Sequence, residues 1–325
     1  MTTLNRSESG GRGYRALLLL LVALAALSSA MKDLNNLREL TNDLEDLTAR
    51  WTNSSFFSAS AAVISADEMP CADPVHQTAD VREFRWSGRL AQGKAIEIKG
   101  LNGDIAADVA PSSEVEVVAN KHGRRSDVNT VSIKVVEHEG GVTICAVYPT
   151  DDPNQTTPCE PGRAKREVQE KEERGSPTVG VRNNDVQVDF RIKVPAGVNF
   201  VGRTVNGEIS ATSLASNVVT RTVNGSIKIS TSGYAEAMTV NGEISASLGN
   251  ANWSGSLEFK TINGEINLDL PAATSTGVQA STFNGEIVSD FPVTMVGKFS
   301  RKEVNGTIGN SGDGGRALVL KTLNG

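Results

Sequence analysis

The phrase Thr-Val-Asn-Gly-Glu-Ile at 204–209 returns along the second half of the chain, and this repetition constrains the fold more than any other feature. Its Asn-Gly pair stands at Asn206-Gly207, Asn224-Gly225, Asn241-Gly242, Asn263-Gly264, Asn284-Gly285 and Asn305-Gly306. A last copy is Asn324-Gly325, and an outlying one is Asn102-Gly103. Within the array the intervals are 18, 17, 22, 21, 21 and 19 residues. Self-similarity at such a period signals a stack of equivalent coils, none of which buries its apolar face alone.

Aligning the copies on the asparagine brings out three apolar columns. Six residues before it stand Ile96, Phe200, Val218, Ala235, Leu257, Val278, Phe299 and Leu318. One before it stand Leu101, Val205, Val223, Val240, Ile262, Phe283, Val304 and Leu323. Three after it stand Ile105, Ile209, Ile227, Ile244, Ile266, Ile287 and Ile308, isoleucine throughout. Columns of this kind predict that each copy is one coil and that equivalent residues stack inside. The reading is an all-β repeat solenoid with Asn-Gly at each corner, where glycine supplies positive φ and asparagine tolerates it. The alternative is a row of hairpins with a two-residue turn at each Asn-Gly. A meander needs turn signals every 8–12 residues, and a single pair per period favours coils. The length variation falls after the isoleucine column, so it maps to loops on one edge of the stack.

Two charged columns flank the corner. Arg203, Arg221, Lys260, Lys302 and Lys321 lie three before the asparagine, and Asp104, Glu208, Glu243, Glu265 and Glu286 lie two after it. Stacked glutamates repel, and pairing with the basic column is the expected relief. A calcium ladder needs several oxygens converging on each ion, and one carboxylate per coil is too few. No metal or other cofactor is expected.

Upstream, alternating strands are expected at Phe84–Trp86, Ala95–Ile98, Glu114–Val118, Val131–Val135, Val142–Tyr148 and Asp185–Val194. An insertion at 151–176 carries three prolines and a mixed charge run, and reads as a solvated loop. Cys145 ends a strand and Cys159 lies in that insertion; in an exported chain the two are expected to pair, with Cys71 as the odd one of three.

Arg6, Arg12 and Arg15 precede an apolar run from Ala16 to Leu27 and then Ser28-Ser29-Ala30. This is the three-part pattern of a signal peptide, with an uncleaved membrane anchor as the alternative. Residues 1–30 are therefore assigned to export or anchoring, 31–80 to an amphipathic helix and linker, and 81–325 to the repeat domain. The helix is expected at 34–51, with Leu34, Leu37, Leu40, Leu44, Leu47 and Trp51 on one face. That face would form a homo-oligomer, or rest on a membrane surface or on the main domain. The location expected is extracytoplasmic: periplasmic, cell-surface or secreted.

The net charge of −6 over 325 residues argues against nucleic acid as a partner, since phosphate binding needs a basic face. His76, His122 and His138 lack metal-ligand spacing, and no nucleophile motif or phosphate loop occurs. A polysaccharide-handling solenoid would need an aromatic platform, and the array has one tryptophan, Trp253. The expectation is a non-enzymatic surface or envelope scaffold with an unidentified envelope partner, with a carbohydrate-binding or carbohydrate-active β-helix second.

Phe84-Arg-Trp-Ser-Gly88, Ile96-Glu-Ile-Lys-Gly-Leu-Asn-Gly-Asp-Ile105, Val186-Gln-Val-Asp-Phe190, Val194-Pro-Ala-Gly197 and the Asn-Gly repeats together resemble the DUF4097 family of bacterial β-strand-repeat proteins labelled as adhesins. The resemblance covers 81–325. It implies a right-handed, single-stranded β-helix-like solenoid in exported or membrane-linked proteins, and it brings no catalytic residues.

Overall fold

The computed structural model describes residues 82–150, 156–162, 184–295, 302–309 and 316–325. All of them fall in the second of the chain's two compact units, Ala49–Gly325. The signal or anchor at 1–30, the helix at 34–51, Cys71 and most of the charged insertion lie outside the described residues.

The described residues are built almost wholly of strands. In order come β1 (Glu83–Gly88), β2 (Ala95–Lys99), β3 (Ile105–Val109), β4 (Val115–His122), β5 (Ser132–His138), β6 (Gly141–Val147) and β7 (Gln187–Val194). The array then supplies β8 (Asn199–Arg203), β9 (Ile209–Leu214), β10 (Val218–Arg221), β11 (Ile227–Thr231), β12 (Ala235–Met238) and β13 (Ile244–Leu248). After these follow β14 (Ser256–Lys260), β15 (Ile266–Asp269), β16 (Thr276–Ser281), β17 (Val293–Met295), β18 (Glu303–Ile308) and β19 (Ala317–Lys321).

Each coil from Asn102 to Asn263 gives one strand to each of two sheets. The strand before the Asn-Gly joins an entry sheet, ordered β17-β18-β16-β19-β14-β12-β10-β8-β2-β6-β5. The strand after it joins an exit sheet, ordered β1-β4-β7-β3-β9-β11-β13-β15. The stacked strands run parallel and in register: Ile96 beside Phe200, Phe200 beside Val218, Val218 beside Ala235. Parallel neighbours rule out a row of hairpins, whose strands would alternate in direction. In the exit sheet Ile105, Ile209, Ile227, Ile244 and Ile266 pair in one file. The chain is therefore a β-solenoid, closed at its N-terminal end by the antiparallel strands β1, β4 and β5.

Two of the three apolar columns form the core. Ile96, Phe200, Val218 and Ala235 have no exposed surface, nor do Ile209 and Ile244. Fully burying one such aliphatic side chain stabilises by about 1.5–3 kcal/mol. The third column, one before the asparagine, is only half-buried at most positions. Its place inside is taken by threonine: Thr204 and Thr222 are 0% exposed, Thr239 and Thr261 1%.

Near Asn284 the stacking order changes and one expected corner is corrected. The coils do not stack in chain order, because β19 lies between β14 and β16, paired in parallel with both. The corner expected at Asn305-Gly306 does not form: both residues lie inside β18, antiparallel to β16, with Asn305 opposite Gln279. Two residues before each stacked asparagine of the array stands a buried threonine, but before Asn305 stands Glu303. A glutamate there would bury an unpaired carboxylate at a cost of several kcal/mol. Thr322 satisfies the position, and the Asn324 copy takes the place instead.

Candidate functional site

The corner row is the most regular surface of the molecule. The stacked asparagines run Asn102, Asn206, Asn224, Asn241, Asn263, Asn324 and Asn284, each bridged to the next through the backbone. Their side chains form a second ladder. The Nδ2 of Asn206 donates to Oδ1 of Asn102 at 2.8 Å, and the same bond recurs from Asn224, Asn241 and Asn263 at 2.7–2.8 Å. Asn324 donates to Asn263 at 2.7 Å and Asn284 to Asn324 at 2.8 Å. Each amide between the ends of the row thus spends one donor and one acceptor, leaving a second N–H on the exposed edge.

The glycines are required by crowding more than by φ. A Cβ on Gly207, Gly225, Gly242 or Gly264 would lie 2.0–2.1 Å from the carbonyl oxygen of the preceding corner glycine. The φ values of Gly207, Gly242 and Gly264, at 154–159°, border on extended backbone, and only Gly103, at 121°, is well inside the positive region. No corner asparagine has positive φ; Ser213 is the one non-glycine that does among the described residues. The expected positive-φ turn is therefore replaced by close backbone approach, which glycine alone permits.

Behind each corner the buried threonine serves the same approach. Thr204, Thr222, Thr239 and Thr261 donate their hydroxyls to the carbonyls of Gly103, Gly207, Gly225 and Gly242 at 2.9–3.1 Å. Thr322 and Thr282 do so to Gly264 and Gly325. This file is missed by searching for apolar columns, although its signal is the first letter of the repeated phrase.

The acidic column is exposed along its whole length. Asp104 Oδ1 accepts from the backbone N–H of Glu208 at 2.8 Å, and Glu243 Oε1 from Asn267 Nδ2 at 3.1 Å. The basic column pairs with other acids. Lys260 Nζ lies 3.6 Å from Glu258, and Arg203 Nε 3.1 Å from Glu97. Residues two apart share a face of a strand, so these acids lie beside the cations, whereas the acidic column sits beyond the corner.

Glu97 belongs to a second cluster, on the outer face of the entry sheet. A disulfide joins Cys145 on β6 to Cys159, with Cα atoms 5.7 Å apart. The two are 14 residues apart in sequence, and in the chain-entropy description closing such a ring contributes about 3 kcal/mol. The bond holds residues 156–162 beside that face. There Glu97, 5% exposed, accepts from the Thr143 hydroxyl at 2.9 Å and the Gly162 N–H at 2.7 Å. Lys99 reaches the Glu160 carbonyl and lies 3.9 Å from Glu97. Burial pulls the Lys99 ammonium below the usual lysine range, and Glu97 opposes that shift. The contact between Arg203 and Glu97 is an ion pair without hydrogen-bond alignment, since neither Nε nor Oε1 has an aligned partner. A covered carboxylate between two cations is a fastening for the insertion: breaking such a pair costs about 3–5 kcal/mol. Alternation alone would place Glu97 in solvent.

The remaining candidates are dispersed. His122 lies 3.1 Å from Asp189, and the His138 ring 3.1 Å from the Thr143 hydroxyl. Among the described residues no three His, Cys, Asp or Glu side chains gather as a metal site. Trp253 is 5% exposed and offers no face to a sugar ring.

The chain matches a solved structure titled a "putative cell adhesion protein" from Clostridium sporogenes, at 8% identity and a TM-score of 0.35, covering 75% of this chain and 96% of that one. No curated protein matches it. The family model for DUF4097, described as Toastrack, matches residues 91–317. With more than half of its length under that model, and with the corner row and two-sheet stack that the repeats build, the chain belongs to the DUF4097 Toastrack family.

Proposed function

We propose that this chain is an exported, non-enzymatic interaction module of the cell envelope, a rigid β-solenoid that presents a repetitive edge to an envelope or surface partner. The observation that carries the reading is the corner row: seven asparagine amides in register, with a file of exposed carboxylates beside them. A surface of this kind recognises by repetition, each coil adding the same donor and acceptor about 4.8 Å further along. Export is supported by the Cys145–Cys159 bond, because disulfides persist in oxidising compartments. The N-terminal segment supplies the signal or the membrane tether, and the helix expected at 34–51 a route to self-association.

Labelling intact and fractionated cells tests the location, and a wholly cytoplasmic protein would sink the proposal. A pull-down from native envelope with the intact chain tests the surface. The captured partner should be lost when Asn224 and Asn241 are changed together to aspartate. Retention of the partner by that variant would remove the corner row from the reading.

A further inference from the structure

Residues 156–162 form a cover over one end of the entry sheet, and their fastening is polar and covalent. The Thr157 N–H donates to the Tyr148 carbonyl at 2.9 Å, and the Thr157 hydroxyl accepts from the Tyr148 N–H at 2.9 Å. Gly162 donates its N–H to Glu97 Oε2 at 2.7 Å, and Lys99 donates to the Glu160 carbonyl. No side chain of 156–162 enters the buried core. The Cys145–Cys159 bond is the one covalent cross-link among the described residues. A segment with few contacts and no apolar anchor opens locally, without the rest of its domain.

The seat beneath is shaped for this loop. Thr143, Glu97 and Val201 stand side by side on β6, β2 and β8, and Cys145, Lys99 and Arg203 form the next outward row. A Cβ on Gly162 would lie 2.5 Å from Glu97 Oε1 and 2.7 Å from an Arg203 guanidinium nitrogen, so glycine lets the cover settle on the ion pair. Under it the Lys99 and Arg203 side chains keep only 19% and 21% of their surface exposed. Closing the cover therefore takes water from a carboxylate and two cations, a cost that the loop's own contacts have to offset. The disulfide tips that balance by keeping the loop beside its seat. β6 is paired with β2 on one side and β5 on the other, so its place in the sheet does not depend on the bond.

We propose that Cys145–Cys159 is a redox latch: a dithiol reductant opens it, releases residues 156–162 and uncovers the cluster of Glu97, Lys99 and Arg203, while the solenoid stays folded. A thiolate of the dithiol attacks Sγ of Cys159, which is half-buried, whereas Cys145 is 2% exposed. A new S–S bond forms to Cys159 and the Cys145–Cys159 bond breaks. Its electron pair leaves on Cys145 as a thiolate, beside Lys99 on the adjoining strand, and a neighbouring cation favours that form. The second thiol of the reductant then displaces Cys159. The dithiol ends as a cyclic disulfide, and its two protons end on the two cysteines. In an oxidising compartment the latch stays shut until such a reductant arrives. The latch depends neither on the corner row nor on a partner, so it and the interaction-module reading can fail separately.

The test follows amide exchange in the full chain with and without dithiothreitol. Reduction should speed exchange at Thr157 and Gly162 by at least about tenfold and leave Ile98, Ile144 and Phe200 protected. Reoxidation should restore the protection of the loop. The double variant Cys145→Ser, Cys159→Ser should exchange fast at Thr157 and Gly162 with no reductant present. Glutathione, a monothiol, should be caught as an adduct on Cys159, with Cys145 as the free thiol. Unchanged protection at Gly162 after reduction would overturn the latch, because the loop would then hold without the bond. Loss of protection at Ile98 and Phe200 together with the loop would also overturn it, because the bond would then be holding the stack. An adduct on Cys145 would overturn the direction of attack.

Discussion

Asn241-Gly242 and Asn305-Gly306 share their sequence setting, Val before the asparagine and Ile three after it, yet one pair is a corner and the other lies within an antiparallel strand. The mid-stack corner is fixed by what surrounds it. Gly242 is pressed against Gly225, Asn241 is bonded to Asn224, and Thr239 caps the Gly225 carbonyl. Asn305 has a glutamate where that threonine should be, and none of this support. The lesson is that Asn-Gly does not fold into a corner by local preference. The stack imposes the corner on any copy whose flanking residues survive burial.

The largest expected effect tests the crowding. Gly242→Val should destabilise by about 4 kcal/mol, because its Cβ meets a backbone carbonyl that cannot retreat; thermal melting measures it, and an unchanged midpoint would refute close approach. Next, Ile227→Ala, fully buried in the isoleucine file, should cost about 3 kcal/mol, whereas Ile287→Ala, only half-buried, should cost less than about 1 kcal/mol. Equal costs in denaturant titrations would mean that Ile287 is as fully packed as Ile227. Thr239→Val keeps shape and removes one hydroxyl donor, for an expected loss of about 1 kcal/mol. The smallest effect makes the sharpest comparison. Asn241→Ala interrupts the amide ladder and should cost about 0.5 kcal/mol, while Asn305→Ala should change stability by about zero. If the two match, the ladder contributes nothing to the fold.

Much of this was legible in the sequence. The isoleucine file and the column six before the asparagine identify the coil and both core faces, because stacking forces equivalent residues into equivalent environments. The column one before misleads: Val205 and Val223 are apolar but half-buried, standing at the outer side of the bend. The threonines escape notice because hydroxyls are read as surface. They are inside because the corner glycine carbonyl needs a donor there. Glu303 announces the fate of Asn305, but only once the threonine file is known. The insertion of β19 between β14 and β16 has no local sign, since every coil presents nearly the same edge and any could stack on any other. Glu97 was hidden for a related reason: its burial depends on a loop brought over it by the Cys145–Cys159 bond.

The position of β19 also bears on the order in which contacts can form. β16 has β18 as a nearby antiparallel partner, but its parallel neighbour in the stack is β19, which follows both in the chain. The pairing of Lys260 with Lys321 joins residues far apart in sequence, and closing longer loops costs more entropy before any contact repays it. The coils from Asn206 to Asn263 can add one on the next as they leave the ribosome, each closing a loop of one repeat. The last two cannot. The coil of Asn284 has to wait, with β18 folded against it, until β19 has been made and can lie down on β14. This part of the stack is thus assembled as a clasp, closed by a strand synthesised after the one it holds, and truncation before Ala317 would leave β16 without its parallel partner β19.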